Sequence, residues 1–207
     1  MNFFNKQKQN IKSIAFLFIG LAFIACTFDD ESDPNRPSLE GVLSEATVNQ
    51  LNNLVVGVEA TMRAGKAGQT TGSGTMAREL YLFDADPRNT GDLLGANGAV
   101  LDNNSFYSSS PWRSRYLAIK NANILLEAIN NTDAITSSQK AGYSGFAKTI
   151  IAHELIDVVK SFGKARVDVS DPSNLGAILN ENEAFSAVDS MLDEAASDLN
   201  IAGGSFA

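Results

Sequence analysis

The stretch SPWRSRYLAIKNANILLEAINN, Ser110 to Asn131, followed four residues later by TSSQKAGYSGFAKTIIAHELIDVVKSFG, Thr136 to Gly163, decides the fold. In the first half Trp112, Tyr116, Ile119, Asn123 and Leu126 recur at alternating spacings of four and three, which lines them along one helical face. Ser110 suits the cap, Pro111 the first turn, and Asn130-Asn131 a left-handed stop. In the second half Thr136 and Gln139 form a capping box, Tyr143, Phe146, Ile150, Leu155, Val158 and Phe162 supply the apolar side, and Gly163 closes the helix. Helices joined so closely must lie antiparallel, so Pro111 to Asn130 and Ser137 to Phe162 are expected to form a helical hairpin. Gly142 and Gly145, one turn apart, would let a further helix approach closely, at a propensity cost of about 1 kcal/mol each. Asn123 breaks an otherwise apolar stripe. An unmet buried amide costs about 1 to 3 kcal/mol, so it is expected to tie down a neighbouring loop or helix end.

Downstream, Asp168 to Asn180 reads as a Pro- and Gly-containing connection. The last helix, framed by Asn182 and Glu183, carries Phe185, Val188, Leu192, Ala195 and Leu199 on one face. Upstream, Val48, Leu51, Val55, Val58 and Met62 make another amphipathic helix behind a Thr47/Gln50 capping box. The run RAGKAGQTTGSG, Arg63 to Gly74, reads as a mobile loop. Its GxG follows a helix rather than a strand and lacks a Lys-Ser/Thr ending, which argues against a phosphate cradle. A short helix is expected from about Met76 to Phe83, ended by Asp86-Pro87 and followed by a loop over Asp84 to Asn104. No segment alternates as strands do, so the body is predicted to be all-α, with long irregular loops.

The beginning of the chain is of another kind. Lys6, Lys8 and Lys12 precede an apolar run of twelve residues from Ile14 to Ala25, interrupted by Gly20. That run is too short to span a bilayer, which takes about 20 apolar residues, and it fits an export signal over residues 1–25. The junction reads FIACTFDDESD, Phe23 to Asp33. A free thiol is an uncommon design in an exported chain with one cysteine. Cleavage before a cysteine that is then acylated accounts for it, with Ala25 as the small residue required; Phe23 stands where Leu is commoner. Cys26 is therefore the expected lipid attachment point, its acyl chains giving about 0.8 kcal/mol per buried methylene. Residues 26–43 are expected to form an acidic tether, and 44–207 the helical domain. The formal charge of −8 becomes more negative once the three lysines are removed, a surface that repels nucleic acid.

Chemistry-bearing residues are sparse. His153 is the only histidine, so a zinc site would need carboxylates alone, and no GxSxG elbow supplies a nucleophile for it. Asp84, Asp86, Asn89 and Asp92 lack EF-hand spacing and suit turns. Asp189, Asp193 and Glu194 fall on a helix exterior, where solvation explains them. Trp112, in phase with Tyr116 and Ile119, reads as core, whereas Phe106 and Tyr107 in the preceding loop are freer to be exposed. No cofactor, metal or catalytic residue is expected.

Taken in order, these pieces resemble the SusD/RagB family of Bacteroidetes outer-membrane lipoproteins. The likeness rests on the lipoprotein signal and the acids after it, and on W-x-x-x-Y-x-x-I-x-x-A-N at Trp112, Tyr116, Ile119, Ala122 and Asn123. It extends to GYSGFAKTIIAHELIDVVKSFGKARV, Gly142 to Val167, and to AVDSMLDEAASDL in the last helix. In that family Phe-Gly is commonly followed by an acid, Val and Pro; here Lys164-Ala165-Arg166-Val167 follow Phe162-Gly163. The resemblance implies helical hairpins like tetratricopeptide repeats, in a family whose bodies are longer than this chain, so the helical domain is expected to be incomplete. It implies a non-enzymatic protein, lipid-anchored in the outer membrane and facing the cell surface. Such a protein binds oligosaccharides or other nutrients and delivers them to a SusC-type TonB-dependent transporter. Asp29, Asp30, Glu31 and Asp33 would be its surface-export signal. The alternatives are a helical-repeat envelope scaffold and the anchoring part of a surface hydrolase.

Overall fold

The computed structural model describes residues 38–81, 91, 93–100, 102 and 105–205. Contacts divide the chain into two units, Met1–Ser38 and Leu39–Ala207. The helices of the second unit are α1 (Leu39–Ser44), α2 (Val48–Met62), α3 (Lys66–Met76), α4 (Phe106–Asn131), α5 (Ser137–Phe162) and α6 (Glu181–Ala202). Two short strands, β1 (Lys164–Arg166) and β2 (Ile178–Asn180), pair antiparallel between α5 and α6, with Ala165 opposite Leu179. The described part is all-α apart from this ribbon. None of its helices is long and apolar enough to cross a membrane.

The hairpin of α4 and α5 forms the centre, with α2 packed on α4 and α6 packed most extensively on α5. Leu51 and Val58 of α2, Ile119 and Leu125 of α4, Leu155 and Val158 of α5 and Val188 of α6 meet in one core. Ala118, Ala122, Ala128, Ala147 and Ala152 are also fully buried, and such small contact residues let helix axes approach closely. Gly145 shows the same device at its limit: a Cβ there would stand 2.6 Å from Leu199 Cγ and 2.9 Å from the Ala195 carbonyl oxygen. Around the core, Tyr143 donates to Asn52 Oδ1 at 2.6 Å, and Thr132 Oγ1 donates to the Ala46 carbonyl at 2.6 Å. Lys148 of α5 pairs with Glu194 and Asp198 of α6, each at 3.0 Å. Residues 39–43, read from the sequence as the end of the tether, belong to α1, whose Val42 enters the core.

Both threonine capping boxes form, and Gly163 caps α5 in the left-handed conformation at φ +66°. Several boundaries differ from expectation. The Gly-rich run is not a loop: after a turn at Gly65, residues 66–76 form α3. Of the expected Met76 to Phe83 helix, Met76 is the last residue of α3 and no helix covers 77–81, the rest of its described part. α4 begins before Pro111, at Phe106, where Ser105 accepts from the Tyr107 amide at 3.2 Å; Pro111 lies inside the helix and is buried. Having no N–H, Pro111 leaves one helical hydrogen bond unmade, a cost offset by packing of the added turn on α3. α4 ends on Thr132 in extended backbone (φ −96°, ψ 144°) rather than in a left-handed Asn, because Thr132 and Asn131 turn to bind carbonyls at the ends of α1 and its loop. Asn180, not Asn182, caps α6, in a reciprocal box with Glu183. Val48 of the predicted apolar stripe is 41% exposed, and Leu192 and Leu199 are also partly open.

Candidate functional site

The same register that buries Ile119 and Leu125 places Trp112 and Tyr116 at the edge of the core. Trp112 lies 4.8 Å from the Tyr116 ring, tilted at 43°, and meets Phe162 of α5 edge-on at 5.1 Å. The Tyr116 hydroxyl accepts from the Arg166 amide at 2.7 Å and donates to its carbonyl at 3.1 Å, fixing β1 beneath the rings. Burial raises the Tyr116 pKa, against the opposing effects of the Arg166 amide and charge, so the hydroxyl stays protonated and able to donate. Trp112 is thus half-buried rather than wholly core, and it walls an open cleft of about 1010 Å³.

Leu117 and Phe162 extend that apolar wall, Ser108, Ser109 and Ser161 contribute hydroxyls, and Arg113 and Lys120 line it with positive charge. A second cleft of about 260 Å³ shares Ser108, Ser161 and Phe162 and runs to Gly72 and Ser73 of α3. One side of the cleft therefore depends on how α3 is seated. Gly72 lies against Tyr107, where a Cβ would sit 3.0 Å from the ring, and Gly68 lies near Phe106. Phe106 and Tyr107, expected in a loop, are the first residues of α4 and meet edge-on at 5.3 Å.

Beneath this surface lies a charge cluster that sequence reasoning passes over. Arg115 is 1% exposed; its Nη1 is 2.7 Å from Glu154 Oε2, whose side chain is wholly buried, and 3.9 Å from Asp157 Oδ2. The guanidinium also donates to the Met62 carbonyl at 3.1 Å and to the Ala64 carbonyl, gripping the chain between α2 and α3. Lys66, at the start of α3, pairs with Asp157. Neither Glu154 oxygen accepts a well-aligned hydrogen bond from the described residues, so the contact with Arg115 is held by charge. Burial raises the Glu154 pKa, partly opposed by Arg115 and Lys66. A signal exists in the spacing: Arg115 falls three residues after Trp112 and four before Ile119, and Glu154 four before Val158.

The residues singled out from the sequence fare differently. Cys26, Asp29, Asp30, Glu31 and Asp33 lie outside the described residues, as do Asp84, Asp86, Asn89 and Asp92. His153 is half exposed, its Nε2 3.8 Å from Glu154 Oε1. Asp189, Asp193 and Glu194 are exposed on α6, with Glu194 paired to Lys148. Asn123 is half-buried in a cleft wall facing Val167 to Ser170; its neighbour Asn121 makes the interhelical amide bond, to Thr61 Oγ1 at 3.4 Å. Among the described residues no group of three His, Cys, Asp or Glu side chains is placed to hold a metal ion. Compared with known proteins, the chain matches no family model, no curated protein and no solved structure.

Proposed function

We propose that this chain acts in an outer-membrane lipoprotein of the SusD/RagB type, binding nutrients, oligosaccharides foremost, and passing them unaltered to a SusC-type TonB-dependent transporter. The observation that carries this reading is the Trp112 cleft. A half-buried indole, an exposed Leu117 and three serines, of which Ser109 already donates to the Ser105 carbonyl and Ser161 accepts from Gln69, make a wall with both an apolar face and polar groups. A sugar ring presents the complementary pair, a flat C–H face and a rim of hydroxyls. The indole is held by Tyr116 and Phe162, so little ordering entropy is lost on binding. The cleft is open, which suits capture and release more than tight retention, and transfer to a transporter needs modest affinity.

The anchor in this reading is Cys26, with Asp29, Asp30, Glu31 and Asp33 directing the protein to the cell surface. Radiolabelled palmitate should enter the chain in cells and should fail to enter Cys26→Ala, which should lose its membrane attachment. Detergent extracts should yield the protein together with a TonB-dependent transporter. A chain that is neither labelled nor recovered with such a transporter would remove the basis of this reading. Catalytic turnover of a bound glycan would favour the hydrolase alternative instead.

A further inference from the structure

We propose that the Trp112 cleft selects oligosaccharides that carry anionic groups, carboxylate or sulfate, over neutral ones. This rests on the uptake reading and adds to it the charge of the cargo. Arg113, Leu117 and Lys120 follow one another at spacings of four and three on α4, beside the Trp112–Tyr116 stripe, and all three are exposed. One helix therefore delivers two cations and the aromatic wall to the same opening. The described residues lining this cleft include no carboxylate. By contrast, a cleft beside α3 sets Asp157 and Glu79 against Lys66, and one beside α6 sets Asp168 and Glu194 against Lys148.

The whole chain has a formal charge of −8, so attraction of an anion is confined to the two cations at this opening and acts at short range. A purely apolar ligand would leave Arg113 and Lys120 without a role. A small inorganic anion would make no use of Trp112 and Leu117. An acidic saccharide uses both sets, its ring on the indole, its hydroxyls on the serines and its charges at the cations.

Trp112 is the only tryptophan, so intrinsic fluorescence of the full chain in detergent micelles reports this cleft. The probes are tetragalacturonate, a sulfated galactose tetrasaccharide, neutral maltotetraose and tetraglutamate. At least one acidic saccharide should give a saturable change, with affinity about tenfold above maltotetraose, the scale of two exposed ion pairs. That advantage should shrink as salt rises. The double variant Arg113→Gln/Lys120→Gln should lose the preference for acidic saccharides while keeping the thermal unfolding curve of the parent. The proposal is overturned if maltotetraose binds as well as both acidic saccharides, or if the double variant keeps the preference. Tetraglutamate binding as tightly as tetragalacturonate would equally overturn it, in favour of an acidic peptide. A chain that is palmitoylated and recovered with a transporter but ignores acidic saccharides loses this proposal and keeps the uptake reading. One that prefers acidic saccharides in this cleft but is neither lipidated nor recovered with a transporter keeps the site and loses that reading.

Discussion

The α4–α5 hairpin and the short helix α3 reach the same secondary structure by opposite routes. α5 has its own capping box, a left-handed glycine stop and an apolar stripe, and α4 and α5 contribute much of the core. α3, with the sequence KAGQTTGSGTM, has three glycines, no side-chain cap and little to bury. Glycine costs about 1 kcal/mol relative to alanine at each helical site, so α3 would not be expected to hold alone. Contacts from elsewhere hold it: Arg115 grips the chain entering it, Asp157 pairs with its first residue, and the α4 aromatics lie against its glycines. Low propensity is here the condition for close approach, since a side chain at position 72 would press on Tyr107.

The contrast between hairpin and α3 is broken most severely at the charge they share. Glu154→Ala should leave Arg115 buried without its nearest counter-charge and destabilise the protein by about 3 to 5 kcal/mol in a denaturant melt. Glu154→Gln, which keeps the shape, should lie between this variant and the parent. A loss within experimental error for Glu154→Ala would mean that the pair is not desolvated as the geometry has it. Gly145→Ala tests the self-sufficient hairpin where it meets α6. Its Cβ would enter space held by Leu199 and the Ala195 backbone, and about 1 to 3 kcal/mol of overpacking should appear as an earlier melting transition. Thr136→Ala removes the cap of α5 and should cost about 1 kcal/mol, measurable in the same melt.

Smaller effects separate α3 from the rest. Lys66→Ala should change global stability little, because Lys66 is partly exposed, yet should lower amide-exchange protection across 66–76 while leaving α5 protected. Gly68→Ala, where a Cβ would meet Phe106 at an ordinary 3.8 Å, should raise protection there. Last comes pH. Burial opposes ionisation of Asp198, but the Ser144 hydroxyl at 2.7 Å and Lys148 outweigh it and hold the pKa below the usual carboxylate value. A depressed acid contributes stability above its unfolded pKa and loses it as pH falls through the folded one. Asp198→Asn should therefore flatten the acid side of the stability profile. Glu154 has the opposite sign: its raised pKa favours the folded state at low pH, and that contribution is lost as pH rises past the ordinary carboxylate range.

Legibility follows the same division. Capping boxes, the Gly163 stop and the core stripes of α2, α4, α5 and α6 are local codes, readable because each is complete within a few residues. The start of α4 is misplaced from sequence because Pro111 is a strong local sign, whereas the earlier turn is held by packing against α3. The ribbon of β1 and β2 is invisible there because three-residue strands show no periodicity, and its pairing depends on Tyr116 and on Arg166 reaching the Gly176 carbonyl at 2.8 Å. Of the candidate site, Trp112 stands out in the sequence yet reads as core, since spacing says which face a residue occupies and not whether that face is covered.

The sequence by itself determined the all-α body, the antiparallel hairpin, the caps of α2 and α5 and a pair of glycines, Gly142 and Gly145, open to a further helix. These follow from 3.6-residue periodicity and from side chains that satisfy their own helix ends. Tertiary structure alone decided that a glycine-rich run becomes a helix, that Arg115 and Glu154 meet in the interior, and that Trp112 opens onto a cleft lined by Arg113 and Lys120. The partners in the buried pair are 39 positions apart and those in the Arg115–Ala64 bond 51, and such contacts exist only after the chain has closed its loops.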